Sequence, residues 1–173
     1  MWVKLLGSAM VIVAGTGIGF AAAWRYSERP RQIGHLISCL TALSSYVNYA
    51  ALPLAEALSR AAGGLNSPVG DFLRRTAANM AARNWLSPRE ALEEALAEEG
   101  RRLAWERPER ETLLLFGANL GATGREEQQK YLAMVLEELR RIEHEALRSR
   151  DQNVKMYRYL GICGGLATAI LLV

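Results

Sequence analysis

Two apolar segments, one near each end of the chain, limit its fold more than any other feature. The first covers residues 5–24 and carries no charge, and the second covers residues 156–173 and carries one, Arg158. A helix needs roughly 20 apolar residues to cross the hydrocarbon core of a bilayer. The second segment approaches that length when the long side chain of Arg158 extends to the headgroups. The sequence therefore predicts transmembrane helices at 5–24 and 156–173, on either side of a domain at 25–155.

The first segment has a second interpretation, as a cleaved signal peptide. Ala21, Ala22 and Ala23 fit the small-residue pattern that precedes a cleavage site. A signal peptide begins with a positively charged region, however, and Lys4 alone precedes the apolar run. Arg25 follows the run at once and opposes translocation of what comes next. A retained membrane helix is favoured, and the signal peptide stays the alternative.

Small residues recur at every fourth position in both apolar segments. This spacing places them on one helix face, where a second helix can approach closely. The predicted helix-packing residues are Gly15, Gly19, Ala23, Gly161, Gly165 and Ala169. The alternative of a phosphate-binding glycine loop in the first segment is disfavoured, because such loops follow a strand and have an acidic ribose partner. We expect the two apolar helices to pack against each other.

The residues between the apolar segments are rich in Ala, Leu, Glu and Arg, which favour helix. Proline marks the start of several periodic apolar segments, and glycine marks the end of several. The predicted helices cover residues 31–49, 53–62, 68–83, 88–99, 108–120 and a long segment from 123. The expected fold is all-α: a single compact helical-bundle cytoplasmic domain of about six helices, bracketed by two transmembrane helices.

Helix starts and buried faces are predicted in more detail. Ser87 with Glu90, and Thr123 with Glu126, have the spacing of a capping box. Periodicity predicts buried faces on the helices at 31–49 and 68–83, formed by Ile33, Leu36, Ile37, Leu40, Leu43, Val47, Val69, Phe72, Leu73, Thr76, Ala77 and Met80. Alternating three- and four-residue spacing predicts a coiled-coil-like seam on the last helix, formed by Leu132, Val135, Leu139, Ile142 and Ala146.

Cations beside the apolar segments predict their orientation. Those on the side of the middle domain are Arg25, Arg29, Arg31, Arg148, Arg150, Lys155 and Arg158. Lysine and arginine are enriched on the cytoplasmic side of membrane helices. We therefore expect a double-spanning protein of the cell membrane, with residues 25–158 in the cytoplasm and both termini outside.

The sequence offers no catalytic, metal or cofactor site. Nucleophile elbows, Walker loops, paired cysteines and the H-E-x-x-H pattern are all missing. His35 and Cys39 lie four residues apart without a second pair of ligands, and His144 lies in a charged run. No stripe of cations alternates with aromatic residues, which argues against nucleic-acid binding. We expect a protein that is not an enzyme and binds no cofactor, nucleic acid or small-molecule substrate.

Opposite charges form adjacent blocks in the middle of the chain. Glutamates dominate residues 90–99, and arginines follow from 101. Such blocks are usually a solvated helix face, but they can also orient a binding partner. The predicted partner-docking residues are Glu90, Glu93, Glu94, Arg101 and Arg102.

The chain resembles the stage III sporulation protein AB family of endospore-forming bacteria. The similarity rests on order and spacing along nearly the whole chain rather than on one motif. It is carried by WVKLLG at 2–7, SERPRQ at 27–32, LPLAEAL at 52–58, LSPREAL at 86–92, LLLFGANLG at 113–121 and KMYRYLG at 155–161. Residues 30–173 more loosely resemble the cytoplasmic F domain of type II secretion and type IV pilus platform proteins. Those proteins commonly have Ser-Gly before the last helix, where this chain has GATG at 121–124, and they carry two copies of the domain.

The resemblance implies a platform or adaptor in a sporulation channel complex. Its partners would be a hexameric secretion-type ATPase, similar to stage III sporulation protein AA, and other membrane components of the channel. Its location would be the mother-cell side of the outer forespore membrane. A membrane-anchored signalling or sensory bundle is the alternative, and it predicts a ligand pocket and dimerisation through the seam on the last helix.

Overall fold

Six α-helices account for the regular structure in the described part of the chain, which contains no strand. The computed structural model describes residues 2–48, 50, 52–83, 85–120 and 125–172. Among these, most side chains before residue 26 and after residue 153 are not described. The helices are α1 (Trp2–Asn48), α2 (Leu54–Ala62), α3 (Pro68–Ala82), α4 (Pro88–Glu99), α5 (Arg107–Asn119) and α6 (Arg125–Leu172).

The chain divides into two compact units. Residues 29–144 form the larger unit, called here the helical domain, and residues 1–28 with 145–173 form the other, called the end unit. Both termini of the chain therefore belong to the same unit. Helices α1 and α6 each have one part in the end unit and one part in the helical domain.

Helix α1 differs from the prediction at its N-terminal side. The sequence predicted a membrane helix and then a separate helix from residue 31, because proline favours the first turn of a helix. The structure instead has one helix of 47 residues with Pro30 inside it. An interior proline removes one backbone hydrogen bond and weakens the helix locally by about 3 kcal/mol, so neighbouring contacts have to offset that cost.

Local sequence sets the starts of α3 and α4, and the capping box of α4 is confirmed. Ser67 caps α3 and accepts a hydrogen bond from the backbone N–H of Gly70 at 3.3 Å. Ser87 caps α4 in the same way, and Glu90 accepts from the backbone N–H of Ser87 at 2.9 Å, which completes the capping box. The second capping box, at Thr123 with Glu126, begins in residues 121–124, which lie outside the described residues.

The helical domain buries the faces that periodicity predicted. Nearly all predicted positions of the helices at 31–49 and 68–83 are buried, and only Ile37, Val47 and Met80 are partly exposed. The seam on α6 is also buried along its whole predicted length, by residues of this same chain. Hydrophobic burial on this scale is the main force that holds helices of this length together.

One core element is not helical. The segment between α4 and α5 places Leu103 and Trp105 in the interior, with only 1% of Trp105 exposed. The indole packs edge-to-face against Phe72 of α3, with ring centroids 5.4 Å apart. This segment therefore contributes to the core as much as a helix face does, which sequence periodicity did not predict.

Helices α4 and α5 approach closely at Gly117. A side-chain Cβ at this position would lie 2.6 Å from Cδ1 of Leu92 and 3.1 Å from Cα of Arg89. Only a residue without a side chain fits against the backbone of α4 at that distance. The glycine in the family-like LLLFGANLG segment is therefore explained by helix packing.

The membrane prediction is not tested by the described residues. Within them, no helix has a stretch that is long and apolar enough to cross a bilayer. The predicted spans at 5–24 and 156–173 fall on α1 and α6, mainly at positions whose side chains are not described. Both spans stay predictions.

Candidate docking surface

The predicted docking residues lie on α4 and on the turn that follows it. Glu90 and Glu93 are exposed and Glu94 is half-buried, while Arg101 and Arg102 are exposed beyond the end of α4. At about 1.5 Å per residue, the helix separates the glutamates from the arginines by roughly 15 Å. The structure thus places the glutamates on the first two turns of α4 and the arginines beyond its C-terminal end, rather than in one cluster.

Charged residues on α3 and α4 pair across the hairpin that these helices form. Asp71 binds Arg102 at 2.9 Å, Arg75 binds Glu98, and Arg83 binds Glu94 through both oxygens of the carboxylate. Residue numbers rise along α3 as they fall along α4, as antiparallel helices require. We call these six residues the α3–α4 ladder.

The α3–α4 ladder contributes little to the stability of the fold. Its main effect is to hold charged side chains in fixed positions on the surface. All of its side chains are at least one third exposed. Ion pairs in such positions contribute little to the free energy of unfolding, and salt screens them. The hydrogen bond from Arg75 nonetheless holds the pKa of Glu98 below its ordinary value. The ladder therefore fixes a regular pattern of charge on one side of the domain.

The other predicted docking residues differ in their hydrogen-bond and ion-pair partners. Glu90 is held by its capping box, and the backbone N–H of Ser87 lowers the pKa of its carboxyl group. Glu93 pairs with Arg89 at 2.9 Å on the same helix. Among the described residues, Arg101 has no ion-pair partner, so its charge is available to another molecule.

Trp85 adds an exposed aromatic side chain to this surface. It lies in the turn between α3 and α4, and 77% of it is exposed. The guanidinium of Arg83 lies 6.0 Å from the centre of the indole ring. Exposed tryptophan and arginine are the residue types that most often dominate binding energy at interfaces. Sequence reasoning missed Trp85, although a tryptophan two residues before the cap of α4 was a visible signal. We call the α3–α4 ladder together with Trp85 and Arg101 the α3–α4 surface.

An apolar groove lies within the helical domain. Its volume is about 310 Å³, including solvent at its mouth. The lining residues are Leu40, Leu43, Leu54, Leu58, Leu73, Thr76, Met80, Pro88, Leu92, Leu113, Phe116 and Leu120. The hydroxyl of Thr76 donates to the carbonyl of Phe72 at 3.0 Å, so it is not directed at a ligand. Small-molecule sites usually combine an apolar lining with a few convergent polar groups, which this groove lacks.

The residues considered for metal binding lie in ordinary positions. Cys39 is buried, its thiol donates to the carbonyl of Ala61 at 3.5 Å, and burial raises its pKa. His35 is half-buried and His144 is exposed. Within the part of the chain that the structure describes, no three His, Cys, Asp or Glu side chains are grouped to hold a metal ion.

A buried charge cluster ties α1 to α5. Nε of Arg29 donates to Oε1 of Glu109 at 2.6 Å, and Nη1 of Arg29 lies 2.8 Å from Oε2 of Glu106. Oε2 of Glu109 accepts from the backbone N–H of Glu106 at 3.1 Å. Glu109 has no exposed surface, and Arg29 has little. Arg29, which the sequence suggested only as a cation flanking the membrane, therefore has a partner inside the helical domain.

Gln32 extends this cluster by one helical turn. Its Oε1 accepts a hydrogen bond from the backbone N–H of Ala104 at 2.8 Å. Arg29 and Gln32 both belong to the SERPRQ segment that carries the family resemblance. We call Arg29, Gln32, Glu106 and Glu109 the α1–α5 clamp.

The structure does not test whether the predicted helix-packing residues contact each other. Gly15, Gly19, Ala23, Gly161, Gly165 and Ala169 lie outside the residues whose side chains and surroundings are described. Their predicted packing therefore stays a prediction.

Three comparisons with known proteins indicate the same family, over different shares of the chain. The family model for stage III sporulation protein AB (spore_III_AB) matches residues 4–173. A relative from Bacillus subtilis (strain 168), stage III sporulation protein AB, is 34% identical over 169 residues, which cover 98% of this chain and 98% of the relative. A solved structure of stage III sporulation protein AB (SpoIIIAB) is 30% identical with a TM-score of 0.67. The match covers 72% of this chain and 98% of the solved chain.

Proposed function

We propose that this chain, which belongs to the stage III sporulation protein AB family and is thus a sporulation protein, is a non-enzymatic membrane platform. In this proposal its helical domain binds a cytosolic secretion-type ATPase, similar to stage III sporulation protein AA. Its end unit binds other membrane components of a channel complex. The chain would couple the ATPase to those components during endospore formation.

One observation carries this proposal. Helices α1 and α6 both have parts in the helical domain and in the end unit, without an interruption of either helix. A continuous helix such as α6, which contains no proline, transmits displacement along its axis because each turn is held by backbone hydrogen bonds. This arrangement supports a role in which an event at the helical domain is relayed to the end unit.

The membrane part of the proposal comes from the sequence. The segments at 5–24 and 156–173 belong to α1 and α6 and have the composition of membrane helices. The flanking cations favour a cytoplasmic helical domain, and the family resemblance favours the mother-cell side of the outer forespore membrane. We propose a double-spanning protein in which the end unit lies in the bilayer.

The packing of the two spans gives a direct test. Replacing Gly19 and Gly165 together with leucine is expected to lower the thermal midpoint of the detergent-solubilised chain, because leucine separates helices that small residues bring together. The matched control is Gly17→Leu, since Gly17 is exposed and a Cβ there has no neighbour within 4 Å. Equal midpoints for the double variant and the control would contradict packing through this face.

The α3–α4 surface is the proposed docking site for the ATPase. It combines an exposed tryptophan, arginines and a fixed charge pattern, which is the composition of a binding hot spot with a charged rim. The ladder residues are already paired with each other, so we assign most of the recognition to Trp85 and Arg101. Glu93 adds an exposed carboxylate beside this surface, paired only with Arg89 of its own helix.

A charge exchange tests this docking site. In a variant with Glu93→Lys and Arg101→Glu, the affinity for the purified ATPase is expected to fall about tenfold, mainly through slower association. Stability should not change, because Glu93 has only an exposed partner and Arg101 has none among the described residues. The control variant, Glu137→Lys with Arg140→Glu, exchanges an exposed pair on α6. An unchanged affinity, or an equal loss in the control, would rule out the α3–α4 surface.

The alternative of a signalling bundle has less support. It predicted dimerisation through the seam on α6, but Leu132, Val135, Leu139 and Ile142 are buried by the chain itself. It also predicted a ligand pocket, and the apolar groove has no convergent polar groups. The platform is therefore the preferred function.

A further inference from the structure

Helix α6 has an exposed face within the end unit. Arg148, Gln152 and Tyr159 are exposed, whereas Ala146, the last residue of the seam, is buried. Helix positions three and four residues apart lie on the same face, so the register places Lys155 between Gln152 and Tyr159. We call positions 148, 152, 155 and 159 the basic face of α6.

The positive charge of this part of α6 is only partly compensated. Arg150 is paired with Asp151 at 2.8 Å, so these two charges largely cancel. Arg148 has no ion-pair partner among the residues that the structure describes. Residues 145–159 contain four cations and two carboxylates, which leaves a net charge of +2. The basic face itself has two cations and no acidic residue, and it leads into the predicted span at 156–173.

Exposed aromatic side chains accompany this charge in the end unit. Tyr159 is 69% exposed, and Trp24, on the α1 part of the unit, is 68% exposed. Trp24 ends the apolar segment at 5–24, and Tyr159 lies near the start of the segment at 156–173. Tryptophan and tyrosine are enriched where membrane helices meet the headgroups, because each ring combines an apolar body with a polar atom. Both side chains therefore suit the headgroup level of a bilayer.

We propose that the basic face of α6 binds the headgroups of anionic phospholipids. Lysine and arginine just outside a membrane helix attract the negative charge of such lipids. An acidic protein would be attracted by the same cations, but aromatic residues beside a predicted span favour the headgroup level, which lipids always occupy. The proposal rests on the proposed position of the end unit in the bilayer, and it adds the class of lipid that the end unit prefers.

The association of two spin-labelled lipids with the full-length chain tests this preference. The chain is reconstituted into phosphatidylcholine vesicles with a trace of spin-labelled phosphatidylglycerol or of spin-labelled phosphatidylcholine, and the motionally restricted fraction of the label is measured. We expect the chain to associate preferentially with phosphatidylglycerol. Arg148→Gln with Lys155→Gln should lower this preference by a factor of about five or more, since one cation near an anionic surface contributes roughly that factor.

The matched control is Lys130→Gln with Arg140→Gln, which removes the same charges from exposed positions of α6 in the helical domain. It should keep the preference for phosphatidylglycerol. An equal loss in the control, or no preference in the original chain, would overturn the proposal. An unchanged preference in the Arg148→Gln, Lys155→Gln chain would also overturn it and would leave the basic face to an acidic protein.

A second measurement on the same vesicles separates this proposal from the proposed function. Resistance of the chain to extraction by alkaline carbonate reports on the two predicted spans and not on the headgroups. A chain that is extracted but prefers phosphatidylglycerol would contradict the double-spanning platform alone. A chain that resists extraction without any preference would contradict the lipid site alone.

Discussion

Replacing Arg29 with alanine is expected to lower the free energy of unfolding by about 3–5 kcal/mol, because it leaves the buried carboxylate of Glu109 without its cation. Glu109 has no exposed surface and lies 2.6 Å from Arg29. A typical domain is stable by only about 5–15 kcal/mol, so this change should be visible in urea unfolding of the detergent-solubilised chain.

Two comparisons separate the buried charge from a general effect of removing arginine. Arg107→Ala removes a side chain that is 87% exposed and paired with Glu111, and should leave the free energy of unfolding almost unchanged. Arg29→Met with Glu109→Leu should be far closer to the original stability than Arg29→Ala, since no unpaired charge remains. If Arg29→Ala costs no more than Arg107→Ala, the cluster is not the buried ion pair described here.

Replacing Trp105 with alanine is expected to cost about 3–5 kcal/mol, because it removes a large side chain from a closed core. The indole is 1% exposed and packs on Phe72. Trp85→Ala is a matched control, since the same atoms are removed from a side chain that is 77% exposed, and should change stability by about 0.5 kcal/mol or less. Similar losses in the two variants, measured by thermal unfolding, would contradict the assignment of Trp105 to the core.

The features that the sequence predicted correctly depend on residues that lie close together along the chain. The predicted capping box of α4 joins Ser87 and Glu90, which are three positions apart, so its signal lies within a few residues of sequence. The buried faces of α3 and α6 follow helical periodicity, which a single helix displays completely. These features needed no knowledge of which helices are neighbours.

The features that the sequence did not predict depend on contacts between residues that lie far apart along the chain. Arg29 and Glu109 are 80 residues apart, and nothing near Arg29 distinguishes it from a cation beside a membrane helix. Trp105 lies in a short segment without periodicity, so its burial depends on where Phe72 of α3 lies. Pro30 was interpreted as a helix start because that is its usual position, and only the contacts of the domain reveal a helix that continues through it.

The candidate docking surface was predicted only in part. Blocks of opposite charge indicated α4, but sequence alone could not show that Glu94 binds Arg83 and that Arg102 binds Asp71. Pairing of this kind depends on the antiparallel arrangement of α3 and α4. Because the ladder residues bind each other, we expect Arg101, Glu93 and the exposed Trp85 to make most of the contacts with a partner.

In the proposed function, the helical domain is the contact point of a secretion-type ATPase. Crosslinking from a photoreactive amino acid at position 101 of the full-length chain in sporulating cells tests this contact. We expect a covalent product with the ATPase. A product formed only with a second copy of this chain, or no ATPase product from position 101 when position 141 on α6 gives one, would contradict it.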